Sequence, residues 1–203
     1  MSGNMQSLAA VFDGWQGFQT SLIHAIAPLT PEQLAWRPAA SLYSVGELAR
    51  HISLGRITWF ARMSAPGSAE LVANIDAWEV DGDGNRQVVE SAFPITENAA
   101  ELVHWLEITW AMIARTLQEW TVDNLAETYR HVWNGDVYTV SRQWTIWRII
   151  THDVYHGGQL SLMLGMQGIE AFELGDLFGH ITLPPLADSE VTSGRLLACQ
   201  SSR

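Results

Sequence analysis

Cysteine is almost absent. Cys199 stands alone near the C-terminus, so the chain cannot close an internal disulfide, which fits a reducing cytoplasm. Positive charge is scarce too: 11 basic residues against 22 acidic ones give a formal net charge of −11. Phosphate contacts need a Lys/Arg surface, so nucleic acid is excluded as a natural partner. No apolar run reaches the ~20 residues that a bilayer-spanning helix needs, and no membrane association is expected. Met1 to Gln6 lacks a basic segment followed by an apolar core, so no signal peptide is expected either. Internal repeats and low-complexity segments are also missing. The expectation is a soluble cytoplasmic protein.

What the chain does have is apolar and aromatic mass. Of its 203 residues 47% are hydrophobic and ten are tryptophan, enough for one domain with a substantial core. Tryptophans left uncovered by that core would serve a homodimer interface.

Helical periodicity dominates the pattern. From Ser7 to Ile26, apolar residues at Leu8, Val11, Phe12, Trp15, Phe18, Leu22 and Ile26 predict an amphipathic helix that Pro28 ends. Thr30-Pro31-Glu32-Gln33 reads as a capped helical turn. Ser44 and Glu47 have capping-box spacing and predict a second helix over about Val45 to Met63. His51 falls at the edge of its apolar stripe, beside Leu48 and Gly55 and in line with Arg62. The missing side chain at Gly55 leaves room for a pocket there.

Between Ser64 and Pro94 the helical rhythm breaks. Asp81-Gly82-Asp83-Gly84-Asn85 starts like a calcium loop, but Arg86 stands where the glycine belongs and Ala92 where the bidentate glutamate belongs, so calcium is rejected. A surface connection of this length suggests a flap over a site, or a short helix around Ala69 to Ile75. Thr96 is expected to cap a third helix reaching Trp120. Thr128 to Trp133 and Asp136 to Val140 flank Asn134-Gly135, which predicts a β-hairpin.

The last helix, about Ser141 to Met166, carries two stripes. One holds Trp144, Trp147, Thr151, Val154, Tyr155, Gly158 and Leu162, the other Ile149, His152, His156, Gln159 and Met163. A helix apolar on most sides belongs in the middle of a bundle. Gly157 and Gly158 within it suggest a close backbone or ligand. The tail to Arg203 is expected to wrap the bundle.

His152 and His156 lie one helical turn apart on one face, so both imidazoles can reach a single ion, and Gln159 follows on that face. Neutral imidazole suits zinc, nickel, iron or copper. Glu101-Leu102-Val103-His104 is the Glu-x-x-His element of di-iron bundles, but it has no second copy, so a bridged dimetal site is not expected.

Ser44-Val45-Gly46-Glu47-Leu48-Ala49-Arg50-His51-Ile52, then His152-x-x-x-His156-x-Gly158-Gln159-Leu160, resembles the DinB/YfiT-like family of metalloenzymes. Leu29 to Pro38 looks like that family's lead-in to its second helix. The resemblance covers roughly Leu8 to Gly168, with Gly157 and the acidic connection from Pro66 to Pro94 departing from the family pattern. It implies an all-α fold over residues 1–168, a four-helix bundle with a small β-hairpin before the last long helix, followed by a C-terminal extension over 169–203.

The resemblance also implies a divalent metal ion, zinc or nickel foremost, held by His51, His152 and His156. Relatives include enzymes that join a low-molecular-weight thiol to an electrophile, and a thiol-dependent isomerase, so it implies a metal-dependent transferase with such a thiol as co-substrate and a small-molecule substrate. Gln159, Arg62 and Tyr155 are candidates for orienting substrate or ligands, and no catalytic side chain is assigned. A hydrolase using metal-activated water is the alternative, as is a non-catalytic metal-binding stress protein with a fourth ligand from His104, His131 or a loop carboxylate.

Overall fold

The computed structural model describes residues 7–93 and 95–170, and the chain is mostly helical over that span. The first expected helix is two pieces. A 3-10 turn at Leu8–Ala10 precedes α1 (Asp13–Ile26), because the backbone leaves helical geometry at Phe12. The reason is tertiary: Ser7 bridges to Thr121 and the Leu8 N–H donates to the Trp120 carbonyl at 3.0 Å, pulling this segment aside.

Capping chemistry sets the next two starts. Thr30 and Gln33 answer each other's backbone N–H groups at the head of α2 (Pro31–Ala35). Ser44 Oγ accepts from the Glu47 N–H at 3.1 Å while Glu47 Oε2 accepts from the Ser44 N–H at 2.7 Å, opening α3 (Val45–Arg62).

The long connection after α3 holds α4 (Ser68–Ala73) and an antiparallel pair, β1 (Trp78–Val80) and β2 (Arg86–Val88), which the sequence pattern did not announce. The calcium-like acids between these strands serve backbone instead. Asp81 Oδ1 accepts from the N–H groups of Asp83 and Asn85 at 3.1 and 2.8 Å. Asp83 accepts from those of Asn134 and Gly135 at 2.8 and 2.9 Å.

α5 (Ala99–Glu119) is capped by Asn98, whose Oδ1 accepts from the Glu101 N–H at 3.2 Å, and not by Thr96. The Thr96 carbonyl instead lies over Gly46, where a Cβ would come within 1.6 Å of it. A short α6 (Val122–Leu125) leads into the expected hairpin, β3 (Thr128–Trp133) and β4 (Asp136–Ser141). Its turn has positive φ at both Asn134 (52°) and Gly135 (81°), as a two-residue primed turn requires. Ser141 then caps α7 (Arg142–Met166), whose 25 residues run about 37 Å.

Four long helices carry the core: α3 packs against α5 and α7, and α1 against the same two. Leu22, Ile52, Phe60, Leu106, Ile113, Ile149 and Leu160 are fully buried between them. Each such side chain contributes roughly 1.5–3 kcal/mol. α3 and α7 run antiparallel, since His51 meets His156 while Trp59 meets Trp144.

α7 is not enclosed on all sides as expected. Its second stripe faces the core through Ile149 and Met163, but Trp147, Tyr155 and Leu162 of the first stripe are 55%, 63% and 66% exposed. Among the described residues nothing stands within 4 Å of where a Cβ at Gly158 would lie, so no close neighbour among them explains that glycine. The extension is described only as far as residue 170; its expected wrapping and Cys199 lie outside the described residues.

Candidate metal centre

His51 from α3 and His152 and His156 from α7 come together at the α3–α7 seam. One ligand nitrogen from each lies within 4.8 Å of the others. Nε2 of His51 and Nε2 of His152 are 3.1 Å apart. Ring centroids are separated by 5.0 Å for His51–His152, 4.8 Å for His51–His156 and 4.5 Å for His152–His156.

Each ring has an oxygen beside Nδ1. Glu90 Oε1 is 2.6 Å from His51 Nδ1, Gln159 Oε1 is 2.7 Å from His156 Nδ1, and Asp153 Oδ1 is 3.5 Å from His152 Nδ1. These oxygens favour the tautomer with the proton on Nδ1, which leaves the lone pair on Nε2. Two such lone pairs 3.1 Å apart repel unless a cation sits between them. Tetrahedral zinc with Zn–N bonds of ~2.0–2.1 Å would hold two nitrogens about 3.3 Å apart, so the donor set fits a divalent ion. The oxygens behind the rings stand where outer partners orient the histidines of metal sites.

Electrostatics agree with a neutral ligand at His156. Burial, aided by the charges of His152 and His51 and opposed by the Gln159 contact, lowers the His156 pKa to about 4, so its imidazole is unprotonated at neutral pH. Burial opposes ionisation of Glu90, but the His51 hydrogen bond and the charges of His51, Arg50 and His152 hold its carboxyl below the ordinary value. Tyr43 stacks on His51 at 5.4 Å, and burial together with Glu90 raises its phenol pKa.

Beneath the histidines lies a buried ion pair. Arg56 Nε donates to Asp153 Oδ2 at 2.9 Å, and Nη2 stands 2.8 Å from the same oxygen without hydrogen-bond alignment. Trp15 Nε1 also donates to Asp153 Oδ2, at 3.1 Å, and Arg56 Nη1 donates to Gln19 Oε1 at 2.7 Å. Burial raises the Asp153 pKa, but the Arg56 charge and the His152 and Arg56 hydrogen bonds outweigh it and keep the carboxyl low. Gly55 makes room above: a Cβ there would meet His152 Cε1 at 2.9 Å.

The other sequence candidates divide. Gln159 touches His156, and its Nε2 donates to the Tyr155 hydroxyl at 3.2 Å, while the Tyr155 ring packs edge-on against His156 at 5.0 Å. Arg62 does not join them. It lies eleven residues beyond His51, about 16 Å along α3, and its Nε donates to the Arg86 carbonyl at 3.2 Å. His104 is exposed on α5, and His131 packs on Trp59 at 5.1 Å, away from the histidine cluster.

Glu90, Tyr43, Arg56 and Asp153 were not foreseen. Glu90 had no signal, because it opens a 3-10 turn of three residues, too short to show periodicity. Arg56 and Asp153 did: each falls on an apolar stripe, one turn beyond Ile52 and Ile149, which marks a buried charge needing a partner.

The DinB superfamily model matches residues 15–160, a span that contains all three histidines. The chain belongs to the DinB superfamily. Among solved structures it is similar to a DinB-like protein from Bacillus cereus ATCC 10987, at 16% identity and a TM-score of 0.62, covering 84% of this chain and 99% of that one. At that identity the likeness speaks for a shared DinB fold alone. No curated protein matches the chain.

Proposed function

We propose that this DinB-superfamily protein binds a divalent metal ion, zinc or nickel, through Nε2 of His51, His152 and His156, and transfers a low-molecular-weight thiol to an electrophilic small molecule. The observation that carries the reading is the convergence of three ring nitrogens within 4.8 Å, with oxygens of Glu90, Asp153 and Gln159 beside the opposite nitrogens. Three protein ligands leave a coordination position for substrate, and a bound divalent ion lowers the pKa of a thiol or water there. Around that position the chain supplies the Gln159 amide and the Tyr43 and Tyr155 rings as orienting groups. The four long helices are read as a four-helix bundle of the DinB/YfiT-like type.

Metal analysis of the purified protein and of His152→Ala tests the site. One ion per chain in the first and its loss in the second is expected; undiminished metal in the variant would overturn the assignment. Conjugation of a thiol panel to a test electrophile then tests the chemistry. Product formation that requires both metal and thiol supports the transferase, and turnover without any thiol would replace it by a hydrolase.

No helix of the described residues is long and apolar enough to cross a membrane. With a single cysteine, the composition supports a cytoplasmic location. The exposed stripe of α7 through Trp147, Tyr155 and Leu162 supports a homodimer built on that face. Leu162→Glu is expected to convert a dimer to monomer in sedimentation velocity.

A further inference from the structure

A cavity of about 280 Å³ opens between the C-terminal end of α3, the N-terminal end of α7 and the tips of both hairpins. Its walls combine cations with indoles. The guanidinium carbons of Arg62 and Arg148 each lie 4.6 Å from the Trp59 ring centroid, and that of Arg148 lies 5.7 Å from Trp144. Two positive charges are thus drawn to one ring, with the carboxylates of Asp81 and Asp83 in the same wall. Arg148 has no carboxylate partner among the described residues, and Asp81 Oδ2 stands 4.0 Å from Arg62 Nη2. Burial lowers the pKa of both guanidinium groups; at Arg62 the Asp81 charge opposes that effect and the Arg148 charge adds to it.

The acids in the same wall are already committed. Asp81 and Asp83 accept backbone N–H groups of their own loop and of the Asn134-Gly135 turn. His131, by contrast, has a buried Nδ1 without a hydrogen-bond partner. Trp133 and Trp144, which also line the cavity, are 58% and 43% exposed and leave ring surface uncovered.

We propose that this cavity binds a small aromatic carboxylate, with Arg148 and Arg62 on the carboxylate and the exposed indoles of Trp133 and Trp144 around the ring. Guanidinium groups match a planar carboxylate, and they tolerate desolvation better than ammonium groups. The volume is near the lower end of the ~300–1,000 Å³ typical of small-molecule clefts, which suits one ring and a short acid. The inference rests on this cavity alone and holds whether or not the histidines bind metal.

Isothermal titration of the full chain with benzoate, phenylacetate, benzyl alcohol and inorganic phosphate tests it, with circular dichroism confirming that each variant is folded. Saturable binding of either aromatic acid is expected, with benzyl alcohol and phosphate each binding more weakly. Arg148→Gln should weaken the acid about tenfold, the loss of one charge-assisted hydrogen bond, and Arg62→Gln should do the same. His51→Ala should leave the affinity unchanged. No saturable binding of either acid would overturn the proposal, as would equal affinity for benzyl alcohol or for phosphate. So would an Arg148→Gln variant that binds like wild type, or binding lost in His51→Ala, which would move the acid to the histidine site.

Discussion

A hydrogen atom in place of a side chain fixes where the His152 ring lies. A Cβ at Gly55 would come within 2.9 Å of His152 Cε1, closer than the two can stay, and 3.2 Å of its Nε2. Gly55→Ala on an exposed helix face would ordinarily favour the helix by about 1 kcal/mol. Here it is expected to push the imidazole off the shared centre while α3 stays intact. The check is metal content alongside far-ultraviolet circular dichroism: bound metal should fall and helicity should not. At this scale the sequence was half readable. His152 and His156 announce themselves by spacing, whereas His51 is a border histidine that spacing does not select, and it entered through the family resemblance. Glu90 lies 39 residues from the ring it holds, in a three-residue 3-10 turn with no period to betray it.

Elements were legible where a local chemical device starts them. The Ser44/Glu47 pair and the Asn134-Gly135 turn depend on neighbours in sequence, and both stand where the spacing put them. Thr96 failed as a cap because its backbone is taken by the close passage over Gly46, a contact between distant segments. β1 and β2 are three residues each, too short for alternation to show, and they owe their turn to the side chains of Asp81 and Asn85. The capping box also carries a pH dependence. Burial opposes ionisation of Glu47, but the Ser44 N–H and Arg37, whose Nη2 is 3.0 Å from Oε1, bring its folded pKa below the ordinary carboxylate value. A depressed carboxyl adds stability above its unfolded pKa and loses it as pH falls through the folded one. Glu47→Gln should therefore melt below wild type at neutral pH, with the gap closing in acid; thermal denaturation across that range measures it.

Across the whole molecule, Arg56 and Asp153 tie the long helices together. Asp153 of α7 takes hydrogen bonds from Trp15 of α1 and Arg56 of α3, and Gln19 of α1 passes the network to the Leu106 carbonyl of α5 at 3.0 Å. Removing one partner strands a charge in the core. Asp153→Leu is expected to cost about 3–5 kcal/mol, and pairing it with Arg56→Met should restore most of that. Chemical denaturation of the metal-free protein gives both numbers; a double variant no better than the single would refute the account. Which helices meet was beyond periodicity, since a stripe tells that a face is buried and not against what.

The two hairpins are joined by Asp83 and Asn85, whose side chains bond the backbone of Asn134, Gly135 and Val132 from about fifty residues away. Ribbons linked in this way breathe together. Their amide protons should exchange with solvent as one cooperative unit, and Asp83→Ala should speed deuterium uptake at Asn134 and Gly135 while leaving the centre of α5 as slow as before.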